Sequence, residues 1–197
     1  MTAYRPAARA RFRAIQVMLL VTILSHIAKA QSEVPMARVR SSDPELALLV
    51  DRAVTLSVTF QRIVTAIQRS NGVVYVEPGK CNHGVHACLP IWMQTAGSNR
   101  FLRILIDRRK TDSDVDVMAS VGHELQHAAE ALSESGVLDG PRLYHFFSRV
   151  ARSNGQRFET RTAIAAGEDI RMELLRSSRE NQRVEEVDRV AGRTRAE

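Results

Sequence analysis

The sequence has few aromatic residues, and its first 30 residues have no acidic ones. Aromatic side chains make up 5% of the 197 residues, with a single Trp, and leave little material for stacking on nucleic-acid bases. The first 30 residues contain no acid, and basic residues there account for +5 of the formal net charge of +6. The rest of the chain is therefore nearly neutral, which excludes a bulk electrostatic case for binding a phosphate backbone. We expect no nucleic-acid partner.

Long apolar runs are also missing. No stretch approaches the roughly 18 consecutive apolar residues that cross a bilayer, and a shorter one, from Ala14 to Leu24, follows an arginine-rich start. Together with Ala28-Lys29-Ala30, this layout is typical of a secretory signal peptide that is cleaved after Ala30. An uncleaved anchor and a buried core helix are the alternatives.

The predicted domain organisation follows from that cleavage. Residues 1–30 form the signal peptide, residues 31–176 form one domain, and residues 177–197 form a polar tail that is helical or disordered. We expect a secreted or periplasmic protein that has no stable association with a membrane once the signal is removed.

The sequence has only two cysteines, Cys81 and Cys88, which bracket a short loop. In an oxidising compartment this spacing predicts a disulfide bond. A zinc loop that also uses His83 and His86 is an alternative, although structural zinc sites usually take ligand pairs from two separated segments. Two free thiols are the third possibility.

Apolar periodicity and turn residues predict an α+β protein. Apolar residues at helical spacing predict one long helix from Pro44 to about Arg69, ended by Asn71-Gly72. Later segments predict strands over residues 73–76, about 89–94 and 101–106, the last two paired as a hairpin, and helices over about 114–132, 141–152 and from 158 onward. This order predicts a small mixed or antiparallel sheet packed on helices.

The motif that carries chemistry is His123-Glu124-Leu125-Gln126-His127, inside the helix predicted over residues 114–132. Two histidines four positions apart lie on one face of a helix, so both imidazoles can reach a single zinc ion. Glu124 is placed to act on a metal-bound water rather than on the metal. We expect Gly122 to give room to the backbone of the sheet. The alternative is an ordinary half-buried helix whose polar side chains are solvated.

This motif resembles the active-site helix of the zincin metallopeptidases, and the resemblance extends over about residues 101–172. The metzincin branch of these enzymes has Gly and His three and six positions after the second histidine. Glu130 and Ser133 occupy those positions here, so that branch is excluded. The gluzincin branch takes its third metal ligand from a Glu on a later helix. Glu159, 32 residues after His127, offers one.

The resemblance therefore implies a zinc site formed by His123, His127 and Glu159. Ala163 stands where gluzincins often carry an Asp that supports a histidine ligand, so any such support must come from elsewhere in the chain. Four other residues remain alternatives for the third ligand: His145, Asp139, Glu130 and Glu134.

The resemblance also implies the reaction. A zinc-dependent metallopeptidase hydrolyses peptide bonds in a peptide or protein substrate, with a zinc-activated water and Glu124 as the general base. Tyr144 and His145 are candidates for stabilising the oxyanion, with a packed aromatic segment as the alternative role. The strand over residues 101–106 resembles the edge strand that pairs with an extended substrate. The alternative function is a non-catalytic, exported zinc-binding or interaction module on a zincin scaffold.

Overall fold

The computed structural model describes residues 37–81, 85–109, 112–153 and 158–194, so the predicted signal peptide lies outside the described residues. Within these ranges the chain is an α+β protein with five helices, a five-stranded mixed sheet and a two-stranded ribbon. The helices are α1 (Pro44–Leu56), α2 (Val58–Arg69), α3 (Asp114–Ser133), α4 (Gly140–Val150) and α5 (Arg161–Thr194). The strands are β1 (Val39–Arg40), β2 (Gly72–Pro78), β3 (Ala87–Cys88), β4 (Gln94–Ala96), β5 (Asn99–Ile106), β6 (Arg152–Ser153) and β7 (Phe158–Glu159).

The five-stranded sheet has parallel pairs at its centre and antiparallel pairs on one side. Both β1 and β5 run parallel to β2, while β3 and β4 run antiparallel to β5. The predicted hairpin is confirmed for β4 and β5, which a tight turn at Gly97 joins with a positive φ of 57°. The predicted strand over residues 89–94 is wrong, because β4 begins only at Gln94 and the amide of Trp92 bonds to the carbonyl of Pro90 in a turn.

At the edge of the sheet opposite β1 lies β3, a strand that the sequence analysis did not identify. The predicted edge strand, β5, is paired on both sides, to β2 on one side and to β3 and β4 on the other. The two-residue strand β3 therefore borders the site that is described below. This pairing depends on residues far apart in the chain, such as Cys88 opposite Leu105, and no local pattern encodes it.

The predicted helix from Pro44 to Arg69 is interrupted at Ser57. This residue is extended, with φ −129° and ψ 116°, and its hydroxyl accepts the amide hydrogen of Phe60 at 3.0 Å, which caps the start of α2. The carboxylate of Glu173, on α5, accepts the hydroxyl of Ser57 at 2.5 Å and the amide of Thr59 at 3.1 Å. A residue more than a hundred positions away thus stabilises the break, so apolar periodicity alone could not reveal it.

The hydrophobic core lies between the sheet and the helices. The central strands contribute side chains that are completely buried, and α3 packs against them, while α5 packs on α3 and α2. The largest completely or almost completely buried side chains are Phe60, Ile67, Leu102, Ile104, Met118, Leu125, Leu143, Ile170 and Leu174. No helix in the described part of the chain is both long enough and apolar enough to cross a membrane.

A buried arginine fixes the end of α3. Arg100 on β5 is 4% exposed, and its guanidinium donates to the carbonyl oxygens of Leu132 at 2.6 Å, Glu134 at 2.7 Å and Val137 at 3.1 Å. Its Nε donates to the side chain of Asn71 at 2.7 Å. The positive charge thus satisfies carbonyl groups that lack partners within the helix and complements the negative end of the helix dipole.

Replacing Arg100 by Met should lower the free energy of unfolding by about 3 kcal/mol, because several buried carbonyl groups would lose their charged donor. Arg103→Met on the same strand is the matched control, since the side chain of Arg103 is 52% exposed. Urea denaturation followed by circular dichroism would measure both variants. Equal losses in the two variants would contradict the role of Arg100.

The carboxylate of Glu173 should make stability depend on pH. Burial favours a higher pKa for Glu173, but hydrogen bonds from Ser57 and Thr59 outweigh it and hold the pKa below the ordinary value of 4.5. Because the folded pKa is the lower one, the stabilisation is complete above about pH 4.5 and disappears as the pH falls through the folded pKa.

At pH 7, Glu173→Gln should therefore unfold about 1.5 kcal/mol more easily than the unmodified chain, and this difference should shrink below about pH 4.5. Denaturation at a series of pH values would measure it. Glu180→Gln, at an exposed position farther along α5, is the control and should change stability little at any pH. A Glu173→Gln difference that stays constant down to pH 3 would contradict the prediction.

Candidate metal centre

The central helix α3 carries all five residues of the motif, and the position predicted for this helix is confirmed. The helix begins after Ser113, whose hydroxyl accepts the amide of Asp116 at 3.1 Å in a capping box. His123 and His127 lie one turn apart on this helix, with ring centroids 4.9 Å apart. Ser113 thus holds the start of α3, and Arg100 holds its end. These two contacts limit movement of the helix that carries the imidazoles.

The long helix α5 packs closely against α3 beside the motif. A Cβ atom on Gly167 would lie 3.3 Å from Cβ and 3.4 Å from Nδ1 of His123, so a larger residue there would press on the ring. On the facing helix, a Cβ on Gly122 would lie 2.2 Å from Cδ1 of Ile170 and 3.1 Å from Cδ2 of Phe60. The expectation that Gly122 faces the sheet backbone is therefore wrong, since it gives room to side chains of α5 and α2.

Glu159 lies before α5 and not on it. The predicted helix from residue 158 begins only at Arg161, and Glu159 belongs to β7, where it pairs with Arg152 of β6. The buried side chain of Thr160 separates the two elements: its hydroxyl accepts the amide of Ala163 at 3.1 Å and caps the helix. Because a capped helix start follows immediately, the position of Glu159 is tied to that of α5.

The structure brings His123, His127 and Glu159 together. Oε2 of Glu159 lies 3.0 Å from Nε2 of His123 and 3.6 Å from Nε2 of His127. One ligand atom from each of the three residues lies within 4.8 Å of the others, so the group could hold a metal ion. The three side chains come from two segments that are far apart in the sequence.

The donor set fits a metal ion in two respects. On a tetrahedral zinc ion with bonds of about 2.0–2.1 Å, ligand atoms lie about 3.3 Å apart, close to the two distances from Glu159. Within the described residues, Oε2 of Glu159 is buried and has no hydrogen-bond partner. Buried polar atoms normally have partners, so an ion at this point would satisfy the carboxylate.

Three carboxylates surround the imidazoles and favour a cation there. Burial alone would lower the pKa of His127, but the carboxylates of Glu130 and Glu159 outweigh it and raise this pKa to about 9. The rings of His123 and then His127 in turn lower the pKa of Glu159 to about 2. Burial raises the pKa of Glu124 above its ordinary value, despite the nearby imidazoles. The negative field that favours a proton on an imidazole would also favour a metal ion.

Glu124 lies between two cavities. It is half-buried, and it lines both an open cavity of about 450 Å³ and a more enclosed cavity of about 120 Å³. The backbone amide of Leu89 acts in the opposite direction to burial and favours a lower pKa for the Glu124 carboxylate. Glu159 lines the same two cavities, so the carboxylate of Glu124 and the ligand group share one cleft.

The predicted disulfide between Cys81 and Cys88 is confirmed. Because both sulfur atoms are bonded to each other, the alternatives of a zinc loop and of free thiols are wrong. The bond ties the end of β2 to β3, and residues on either side of β3, from Val85 to Leu89, line the cleft. The disulfide thus fixes the rim of the site and indicates an oxidising compartment.

Four other predicted residues, Tyr144, His145, Asp139 and Glu134, do not belong to the group that could hold a metal ion. Tyr144 is 56% exposed on α4 with its ring 5.3 Å from that of Phe158, and His145 is also exposed. Neither lines the two cavities around Glu124. Asp139 caps the start of α4, and the side chain of Glu134 is exposed at the end of α3. The oxyanion role of Tyr144 or His145 stays a prediction.

The structure also shows neighbours that the sequence analysis did not identify. The ring of Phe147 meets that of His127 edge-on at 5.4 Å, and Nδ1 of His86 lies 2.8 Å from Oδ2 of Asp112 beside the larger cavity. Glu130 was considered only as a ligand, yet its carboxylate lies behind His127 at 3.6 Å from Nδ1. The first two contacts join separate segments, and no short motif marks them, whereas Glu130 and His127 are three positions apart on α3.

Comparisons of the chain with family profiles, with curated proteins and with solved structures find no match. The geometry of the described residues is therefore the basis for any statement about function.

The full chain should bind about one divalent metal ion, and His123→Ala, His127→Ala and Glu159→Ala should each weaken binding strongly because each removes a ligand. His145→Ala is the matched control, since that imidazole is exposed on α4. Elemental analysis after dialysis, together with zinc titration, would measure the content and the affinity. Full affinity in Glu159→Ala would assign the third ligand elsewhere, and loss of binding in His145→Ala would identify that residue.

Proposed function

We propose that this protein is an exported, zinc-dependent peptidase of the zincin type, with a gluzincin-like ligand set of His123, His127 and Glu159. The observation that carries the proposal is the convergence of two imidazoles one helical turn apart with a carboxylate from a distant segment, beside a cleft that contains Glu124. Three protein ligands and one open position are typical of a catalytic zinc site, whereas structural sites are closed by four.

The chemistry of the donors favours zinc. Two imidazole nitrogens and one carboxylate oxygen are the ligands found in many zinc hydrolases, and imidazole suits zinc better than it suits magnesium or calcium. When bound, a zinc ion would supply a Lewis acid that polarises a carbonyl group and makes a water molecule a better nucleophile. The remaining steps would depend on the side chains of this chain.

Glu124 is the residue that would move the proton. It neighbours both histidines but is not part of the ligand group, so it is free to take a proton from the attacking water and deliver it to the leaving amine nitrogen. Its side chain lines both cavities of the cleft, between the ligand group and the rim at Leu89. A base already in this position would avoid part of the cost of reorganisation during the reaction.

The rim strand supports an extended peptide as substrate. Among the described residues, β3 is the outermost strand of the sheet next to the cleft, and an edge strand offers unpaired backbone groups to an added strand. Apolar side chains line the smaller cavity on one side of Glu124: Leu89, Ile91, Phe147 and Phe158. A peptide with an apolar side chain next to the cleaved bond would fill this cavity, while the larger and more open cavity would receive the other side of the substrate.

The proposed location outside the cytoplasm has two supports. The disulfide of Cys81 with Cys88 indicates an oxidising compartment, and residues 1–30 have the composition of a signal peptide. Both agree with a peptidase that acts after export.

Glu124→Gln should keep about one zinc ion per chain and lose peptide hydrolysis by at least about a hundredfold, because the amide cannot accept the proton. A peptide library analysed by mass spectrometry would measure cleavage, and metal analysis would measure the zinc. Glu134→Gln, exposed at the end of the same helix, is the control and should keep both properties.

Full activity of Glu124→Gln would reject the proposed reaction. If the unmodified chain bound zinc but cleaved no peptide, the protein would instead be a metal-binding module without catalytic activity.

A further inference from the structure

Glu130 presents a buried carboxylate to the side of His127 that faces away from Glu159. Glu130 follows His127 by three positions on α3, and its side chain is 15% exposed. Its Oε2 lies 3.6 Å from Nδ1 of His127, whereas Nε2 of the same ring lies 3.6 Å from Glu159. In the part of the chain that the structure describes, neither Nδ1 nor this Oε2 has a hydrogen-bond partner. A movement of about 0.7 Å would join them.

The other oxygen of Glu130 is held by three donors. Oε1 accepts the hydroxyl of Thr160 at 2.9 Å, the hydroxyl of Thr162, and the side-chain amide of Gln126 at 3.3 Å. Because these donors all reach Oε1, Oε2 remains directed at the imidazole. The carboxylate is thus fixed by three partners and is not a surface group that happens to approach a histidine.

The donors also connect Glu130 to the third ligand of the proposed site. Thr160 directly follows Glu159. Its hydroxyl donates to Glu130 and accepts the amide hydrogen of Ala163, in the first turn of α5. A single carboxylate therefore touches the segment of one ligand and the ring of another. The ligand segment and the helix α3 are joined at this point by side-chain hydrogen bonds.

We propose that Glu130 is a positioning residue of the metal site: it accepts the Nδ1 hydrogen of His127, so that Nε2 is presented toward His123 and Glu159, and it anchors the segment of Glu159 through Thr160. This inference rests on the proposed function. Glu130 would take the place of the Asp that supports a histidine ligand in many gluzincins. In this chain that position is Ala163, which is completely buried and has no polar side-chain atom. A carboxylate behind a ligating imidazole fixes the tautomer and raises the basicity of the ligand nitrogen.

The test compares zinc affinity in the full chain with Glu130→Gln and Glu130→Ala. Glu130→Ala should bind zinc about 10- to 100-fold more weakly. Glu130→Gln should lose less, because its amide oxygen still accepts a hydrogen bond. Glu134→Gln is the matched control one turn along the same helix and should keep full affinity, since its side chain is exposed. Competition with a chromophoric zinc chelator would measure all four proteins.

A second readout separates positioning from a loss of structure. In the zinc-loaded chain, ¹⁵N NMR of the His127 ring should show a protonated, hydrogen-bonded Nδ1 and a metal-bound Nε2. In Glu130→Ala the hydrogen-bonded Nδ1 signal should shift or disappear while circular dichroism stays native. If Glu130→Ala does not fold, Glu130→Leu, which fills the same space without a hydrogen-bond acceptor, carries the same comparison.

Zinc affinities within twofold of the unmodified chain in both variants, or an unchanged Nδ1 signal, would overturn the role of Glu130 and leave the proposed peptidase intact. If the unmodified chain bound no zinc, the proposed function and this inference would both be overturned, so the two failures are distinguishable.

Discussion

The close contact between α3 and α5 is the constraint on which the site depends. Where the two helices meet, each contributes a glycine, Gly122 on α3 and Gly167 on α5, and a Cβ at either position would lie within 3.3 Å of a side-chain carbon on the opposite helix. Since Glu159 is joined to the start of α5, the separation of the helices also sets the distance from its carboxylate to the histidines. A wider crossing would leave the imidazoles without a third ligand atom.

Single charged side chains hold the ends of the helices that frame this contact. Glu173 holds the start of α2, Arg100 holds the end of α3, and Glu130 reaches the hydroxyl that caps α5. Glu173 and Arg100 pair with backbone groups at a helix end whose partial charge has the opposite sign. Glu130 accepts a hydrogen bond from the capping hydroxyl itself. These polar contacts define the geometry of the helices, while the apolar core supplies most of the burial.

Local patterns in the sequence were sufficient for the elements that carry the motif. The capping residues and apolar spacing predicted α3, and the two cysteines predicted their disulfide, because both signals lie within a few residues of the feature that they specify. Glu159 was found only through a family resemblance, and it lies on a strand instead of the predicted helix. The break at Ser57 and the edge position of β3 were missed because distant residues decide them. The contact of Glu130 with His127 was missed for the same reason, since Thr160 and Thr162 direct it.

The cross-link between Cys81 and Cys88 has a consequence for when the cleft is complete. β3 is held to the sheet by a ladder of only two residue pairs, so the covalent bond is the stronger restraint on this side of the opening. A newly made chain in a reducing cytosol would have thiols in its place and a looser border beside Glu124. The finished shape of the cleft would then arise only after oxidation, so the proposed peptidase would mature away from the proteins of the cell that makes it.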